Sequence, residues 1–303
     1  MAKLAVTVAG VTFKNPVITA SGCYGFGRDY EELYPISALG GISLKGMTMP
    51  GRPGNPPSRI AETPGGMLNS VGLQNPGPEA FMEKDYAYLR QQDTVLIANI
   101  AGSTEEAYCQ IASYFDKTGI DMLELNISCP NVRQGGVAFG TDPKMVEKIV
   151  GMVRRSTAKP LMVKLSPNVT DITETARAAE AAGADALSLI NTLTGMRIDI
   201  RTRRPILHNN TGGLSGPAVF PVAVRMVWQV ANAVRLPVVG LGGIARWQDA
   251  VEMMMAGARA VQVGTALFGN PMAPVEIVQG MDAWLDSQGI RDVNEIVGSV
   301  KPW

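Results

Sequence analysis

The sequence predicts an α/β protein, a (β/α)8 TIM barrel with an N-terminal β-hairpin and long active-site loops. Three observations lead there. Eight short apolar segments recur along 303 residues. Helical patterns lie between them. The segments are near-continuous apolar runs, as parallel strands buried on both faces require. One barrel of this kind commonly fills such a length, so residues 1–303 are expected to form a single domain. A doubly wound open sheet is the alternative. It calls for G-x-G-x-x-G after the first strand, and "SGCYGFG" (21–27) lacks that spacing.

The elements follow in order. Residues 1–11, "MAKLAVTVAGV", have the outline of a signal peptide, a lysine and then an apolar run. Val6, Val8 and Val11 alternate with small or polar residues, however, and "VTFKNP" follows, so a β-hairpin is expected. The strand candidates are "PVITASG" (16–22), "GISLKG" (41–46), "TVLIANI" (94–100), "MLELNIS" (122–128), "PLMVKLS" (160–166), "ALSLINT" (186–192), "PVVGLGG" (237–243) and "AVQVGTAL" (260–267). Between them, Ser103 with Glu106 and Asp171 with Glu174 have capping-box spacing. Trp247, Ala250, Val251 and Met254 share one helical face, and Gly257 supplies a stop. The methionines at 253–255 read as core and flank packing. Residues 47–93 combine a Pro/Gly-rich loop with a helix from about Pro78, and residues 193–236 carry "RTRRP", "TGGLSGP" and another helix. Long loops in a compact domain usually serve as lids or ligand walls.

Composition excludes several classes. Lys plus Arg and Asp plus Glu number 27 each, a formal net charge of zero, so nothing points to nucleic acid. No run of 18 uncharged apolar residues suggests a membrane span. Cys23, Cys109 and Cys129 are the only cysteines, and none forms C-x-x-C. That argues against a disulfide framework or a chain-bound iron–sulfur cluster and fits reduced thiols in the cytoplasm, and no metal site is expected.

Function in a barrel gathers at the carboxyl ends of the strands. Read in order, those ends hold Ser21, Lys45-Gly46, Asn99, Asn126 with Cys129, Lys164, Asn191-Thr192, Gly242-Gly243 and Gly264-Thr265. The last two pairs close strands seven and eight, the usual phosphate site of a barrel, where backbone N–H groups and a helix N-terminus meet the anion. Gly216 can add an amide. The same glycines also suit tight βα turns. Lys45 and Lys164 lie in apolar runs, which suits a Schiff base, a phosphate contact or a charge set against a cofactor. Asn69, Asn99, Asn126, Asn131 and Asn191 each carry donor and acceptor, matching a pyrimidine or isoalloxazine ring; turn chemistry is the alternative for Asn69 and Asn131. His208, the only histidine, sits in a loop away from any strand end. Cys23, in a Gly/Tyr turn, and Cys109, within a helix, read as structural. Cys129, in "LNISCPNVRQGG" (125–136), is either part of a tight turn or a catalytic thiol.

Seven motifs, "NISCPNV" (126–132), "NSVGLQNPG" (69–77), "VKLSPN" (163–168), "INTLTG" (190–195), "GGLSGP" (212–217), "GLGGI" (240–244) and "VQVGTAL" (261–267), together resemble the dihydroorotate dehydrogenase family. They resemble its class 1 branch, whose base is a cysteine, and "RQGGVAFGTDP" (133–143) resembles the class 1B subgroup. The resemblance implies a barrel with one FMN per chain that oxidises dihydroorotate to orotate in pyrimidine biosynthesis. It places Ser21, Lys45, Gly46, Asn99, Asn126, Lys164, Ile190, Gly216, Gly242, Gly243, Gly264 and Thr265 on FMN. Lys45, Asn69, Ser70, Val71, Gly72, Leu73, Asn126, Asn131, Asn191 and Thr192 would hold substrate. Cys129 would be the base, and Lys164 would stabilise charge on the reduced cofactor. One departure is Gly46, where alanine or serine is expected. The membrane-bound relatives' amphipathic extension and serine base are not read here. The resemblance further implies an electron-transfer subunit carrying FAD and a [2Fe–2S] cluster, docked on a homodimer of this chain to form a heterotetramer that reduces NAD⁺. Alternatives are a class 1A enzyme using fumarate, a dihydropyrimidine dehydrogenase-like activity, a Schiff-base lyase built on Lys164, and a flavin-binding sensor.

Overall fold

The computed structural model describes residues 2–127 and 139–303. Eight parallel strands close into a barrel: Val17–Thr19, Gly41–Ser43, Val95–Ile100, Met122–Asn126, Leu161–Lys164, Ala186–Leu189, Val238–Leu241 and Ala258–Val263. Each strand pairs with the next in sequence, and the eighth returns to the first through Val261–Val17 and Val263–Thr19. Closure leaves no sheet edge, which excludes the doubly wound alternative. All eight sequence segments are barrel strands, each paired over fewer residues than its apolar run. In most runs the residues past the strand's carboxyl end are the turn that carries the chain out of the mouth.

Helices cover the outside because each has one apolar stripe. Glu105–Asp116 buries Tyr108, Ile111, Ala112 and Phe115, and Pro143–Arg154 buries Val146, Ile149, Val150 and Val153. Further helices are Ile172–Ala181, Phe220–Ala233, Trp247–Met255 and Ala273–Gln288. The helix from Pro78–Phe81 continues through a π turn, Met82–Tyr86, to Ala87–Leu89. Ala250, Val251 and Met254 are buried as expected, Trp247 packs beside them, and Gly257 has the positive φ of +123° that ends this helix.

Three local expectations change. The first cap is Thr104, not Ser103: its Oγ1 accepts from the N–H of Ala107 at 3.1 Å. Thr104 is the last residue with extended backbone, so only its hydroxyl is poised over the first turn. Asp171 caps its helix through the N–H of Thr173, but no reciprocal bond from Glu174 completes a box. The connection between strands one and two has no α-helix among the described residues. Two 3₁₀ turns, Arg28–Tyr30 and Ile36–Ala38, stand there instead. Gly25 and Gly27 at positive φ and Pro35 leave too short an uninterrupted run for a helix.

The expected N-terminal hairpin pairs Val6–Val8 with Val11–Phe13. Val6, Val8 and Phe13 are buried, and the Phe13 ring lies so close to Gly41 that a Cβ there would fall 2.8 Å from it. The two long connections find each other across the barrel mouth. Ile60–Thr63, Gly66–Asn69, Gly212–Ser215 and Leu193–Gly195 form one antiparallel sheet, with Ala61, Leu68 and Leu207 as its own small core. No helix among the described residues is long and apolar enough to cross a membrane.

Candidate active site

The strand ends and the four-stranded wall enclose a cavity of about 820 Å³, within the range typical of small-molecule sites. Eleven expected positions from the strand ends and their turns line it: Ser21, Lys45, Gly46, Asn99, Asn126, Lys164, Ile190, Gly242, Gly243, Gly264 and Thr265. Asn191 and Thr192, beyond strand six, join them. The wall contributes Asn69, Val71, Gly72, Leu73 and Gly216. Ser70 does not line the cavity. It is fully buried, because alternation along the segment turns it away from the side that Asn69 and Val71 face. Cys129 and Asn131 lie outside the described residues. His208 lies away from the cavity, in the turn where its N–H donates to the carbonyl of Ser58 at 2.8 Å.

Pairing places the polar groups. Asn126 and Lys164 are register partners at the ends of strands four and five, and both are buried. The Tyr108 hydroxyl donates to the Asn126 carbonyl at 3.0 Å, fixing that strand end against its helix. Asn191 Nδ2 reaches Asn126 Oδ1 at 3.4 Å, and the Asn191 carbonyl oxygen Oδ1 receives the N–H of Thr192 at 2.7 Å. Lys45 Nζ lies beside Gly22, where an added Cβ would be 3.5 Å away. The lysines thus bring positive charge to a largely neutral, amide-rich cavity.

The glycines expected to receive a phosphate form a cradle. Gly216, Gly242 and Gly243 have φ of +104°, +120° and +82°, conformations open to glycine. A Cβ on Gly243 would come within 2.8 Å of the Gly216 carbonyl and 2.7 Å of Phe220 Cβ. The Thr265 hydroxyl donates to Ser215 Oγ at 2.7 Å, tying strand eight to the wall. Just ahead of the helix after strand seven, two amides are already engaged: Asp249 Oδ2 accepts from the N–H of Ala245 at 3.0 Å and of Arg246 at 3.1 Å. The helix after strand eight is a single turn, Ala266–Gly269.

Sequence reading missed a second layer. Beneath the cavity floor lies Glu124, fully buried between Leu123 and Leu125 in strand four. Burial by itself would push its carboxyl pKa up. The Lys164 charge and hydrogen bonds from Ser43, Gln262 and Asn99 together outweigh that and hold it below the usual value. The signal was present: a carboxylate in a strand buried on both faces must have partners. Gln262, also missed, lines the cavity. Cys23 lines it too, rather than standing apart. Burial raises its thiol pKa, with Lys164 and Lys45 pulling the other way.

A phosphorylated flavin of the kind the sequence resemblance implies can be tested against these residues. Asn99 Oδ1 and Gln262 Oε1 are buried amide oxygens with no hydrogen-bond partner among the described residues, which suits a ring bearing N–H groups. The cradle leaves backbone where a Cβ would not fit, which suits a phosphate approached by amides. The residues present fit the group.

Fold and site together define a (β/α)8 barrel whose mouth cavity joins a glycine cradle to a buried, amide-lined floor. Residues 3–285 match the family model for dihydroorotate dehydrogenase. Over 296 residues the chain is 56% identical to the dihydroorotate dehydrogenase B (NAD(+)) catalytic subunit of Lachnoclostridium phytofermentans, covering 98% of this chain and 99% of that one. It is 55% identical to the protein of the same name from Alkaliphilus oremlandii, with 98% of both chains covered. To that of Geotalea uraniireducens it is 54% identical, again over 98% of both. The chain belongs to the dihydroorotate dehydrogenase family.

Proposed function

We propose that this chain oxidises (S)-dihydroorotate to orotate in pyrimidine biosynthesis, as the catalytic subunit of an NAD⁺-linked enzyme with FMN in the barrel mouth. The observation that carries the reading is the convergence of Lys45, Asn69, Asn99, Asn126, Lys164, Asn191 and Thr192 on one cavity in a chain of this family. Bound FMN supplies the hydride acceptor that no side chain can.

The chain's own residues do the rest. Ser21, Gly46, Ile190, Gly216, Gly242, Gly243, Gly264 and Thr265 hold FMN, with Asn99, Asn126 and the two lysines. Lys45 and backbone amides near Gly72 receive the substrate carboxylate, while Asn69, Asn126, Asn131, Asn191 and Thr192 orient its ring. Cys129 takes the ring proton as general base. Lys164 holds positive charge where the reaction builds negative charge. Electrons leave through a second subunit carrying FAD and [2Fe–2S], docked on a homodimer of this chain to make a heterotetramer. That the relatives are named as catalytic subunits supports such a partner.

Anaerobic titration of the purified, flavin-loaded protein with dihydroorotate tests the reading. Flavin absorbance should bleach in proportion to substrate. A flavin that stays oxidised refutes it, and trapping of a Lys164 adduct by borohydride would favour the lyase.

A further inference from the structure

Glu124 has four hydrogen-bond donors and two oxygens to receive them. Oε1 accepts from Ser188 Oγ and Gln262 Nε2, both at 2.8 Å. Oε2 accepts from Ser43 Oγ at 2.7 Å and Asn99 Nδ2 at 2.6 Å. The five residues come from five strands, and none of Glu124, Ser43 or Ser188 reaches the cavity lining. Asn99 and Gln262 do. An ionised carboxylate can only accept. Both amides must therefore turn their NH₂ groups down to it, and their carbonyl oxygens away. Both of those oxygens are buried and have no hydrogen-bond partner among the described residues.

We infer that Glu124 is a positioning residue that fixes the polarity of the cavity floor, so that Asn99 and Gln262 present carbonyl acceptors to a ligand ring bearing an N–H. This rests on the flavin reading above, and assigns to Gln262 a ligand contact alongside Asn99. The matching chemistry is the imide N–H at N3 of the isoalloxazine ring. The Lys164 charge, which favours the ionised Glu124, keeps the arrangement in place.

Glu124→Gln makes the inference sharp. The neutral isostere puts an NH₂ where one oxygen was. Ser43 or Ser188 can rotate its hydroxyl to accept, but the amide on that side must reverse or leave two N–H groups facing each other. Reversal turns an NH₂ toward the ligand. Moving the charge rather than deleting it should cure this. In N99D/E124Q or Q262E/E124Q, the new carboxylate accepts from the amide introduced at position 124 with one oxygen and offers the other to the ligand.

The test is binding of FMN and N3-methyl-FMN to apoprotein, read by quenching of flavin fluorescence. Wild type should prefer FMN by about 10²-fold, because the methyl group leaves buried acceptors unpaired. E124Q should cut the preference below about tenfold, mostly by weakening FMN. One of the two charge-moved variants should restore it. If E124Q does not fold, Gln262→Met decides: loss of one acceptor should lower the preference, and a preference equal to wild type overturns the inference. Equal affinities in wild type, or a full preference in folded E124Q, overturn it as well. Wild type that binds neither flavin overturns the flavin reading itself.

Discussion

The Thr265 hydroxyl donates a 2.7 Å hydrogen bond to Ser215 Oγ, joining the end of the last barrel strand to the sheet that walls the cavity. Thr265 follows Gly264, and Ser215 precedes Gly216, so the bond brings two glycine turns together. With Gly242 and Gly243 they make the glycine cradle of the site. The cradle is assembled from strands seven and eight and from a loop inserted after strand six, and its shape depends on all three.

Gly243→Val should abolish stable flavin binding while the barrel still folds. A β-branched residue at φ +82° is strained by about 1–2 kcal/mol, and its Cβ would crowd the Gly216 carbonyl and Phe220. The purified variant should be colourless, with a far-ultraviolet circular dichroism spectrum like wild type. A yellow variant with full flavin content contradicts the cradle.

Cys129→Ala should keep FMN and still bind orotate, because the asparagines remain. Flavin reduction by dihydroorotate, followed by stopped flow, should slow by roughly 10²–10⁴-fold. In the wild type the same rate should climb as pH rises toward about 8.5, the range of an unperturbed thiol. Cys23, whose thiol is pushed up by burial, should stay protonated over that range, so Cys23→Ser should leave the pH profile in place. A Cys129→Ala protein reduced at the wild-type rate would identify another base.

Lys164→Ala should weaken the pH dependence that Glu124 gives to stability. In the wild type the folded-state pKa of Glu124 is lowered, so its contribution is present above its unfolded value and is lost as pH falls. Without the Lys164 charge, burial is opposed only by the hydrogen bonds, so the folded pKa is lowered less. The stability that Glu124 gains as pH rises through its titration is then smaller. Melting temperatures of apoproteins between about pH 4 and 7 should show the variant losing ground to wild type as pH increases. A constant gap across that window would mean that the two groups do not interact.

The chain purified alone should pass electrons from dihydroorotate to artificial dyes but not to NAD⁺. Three scattered cysteines, Cys23, Cys109 and Cys129, are too few to ligate an iron–sulfur cluster, which normally takes four, and this motivates the expectation. Steady-state assays with each acceptor check this. Rapid NAD⁺ reduction by the chain alone contradicts the need for a partner, and efficient fumarate reduction points to the class 1A chemistry.

The barrel and most of the mouth residues were legible in local pattern alone. Short apolar runs ending in Asn99, Asn126, Lys164 or a glycine pair carry their own strand signal, and closure puts all strand ends on one rim. Other features depend on which residues the fold brings together. Ser103 and Thr104 are equally good caps on paper, and backbone geometry chose Thr104. Ser70 reads like its neighbours, and alternation buried it. The wall pairs Gly66–Asn69 with Gly212–Ser215, two glycine-containing segments from separate connections whose complementarity no local pattern announces. Glu124 is one letter in an apolar run. Its ionisation and its hold on Asn99 and Gln262 come from donors on four other strands and from the charge of Lys164. Strand identity is a local property of side-chain pattern, whereas the protonation and orientation of a buried polar group are set by whatever closes around it, and only the tertiary structure decides that.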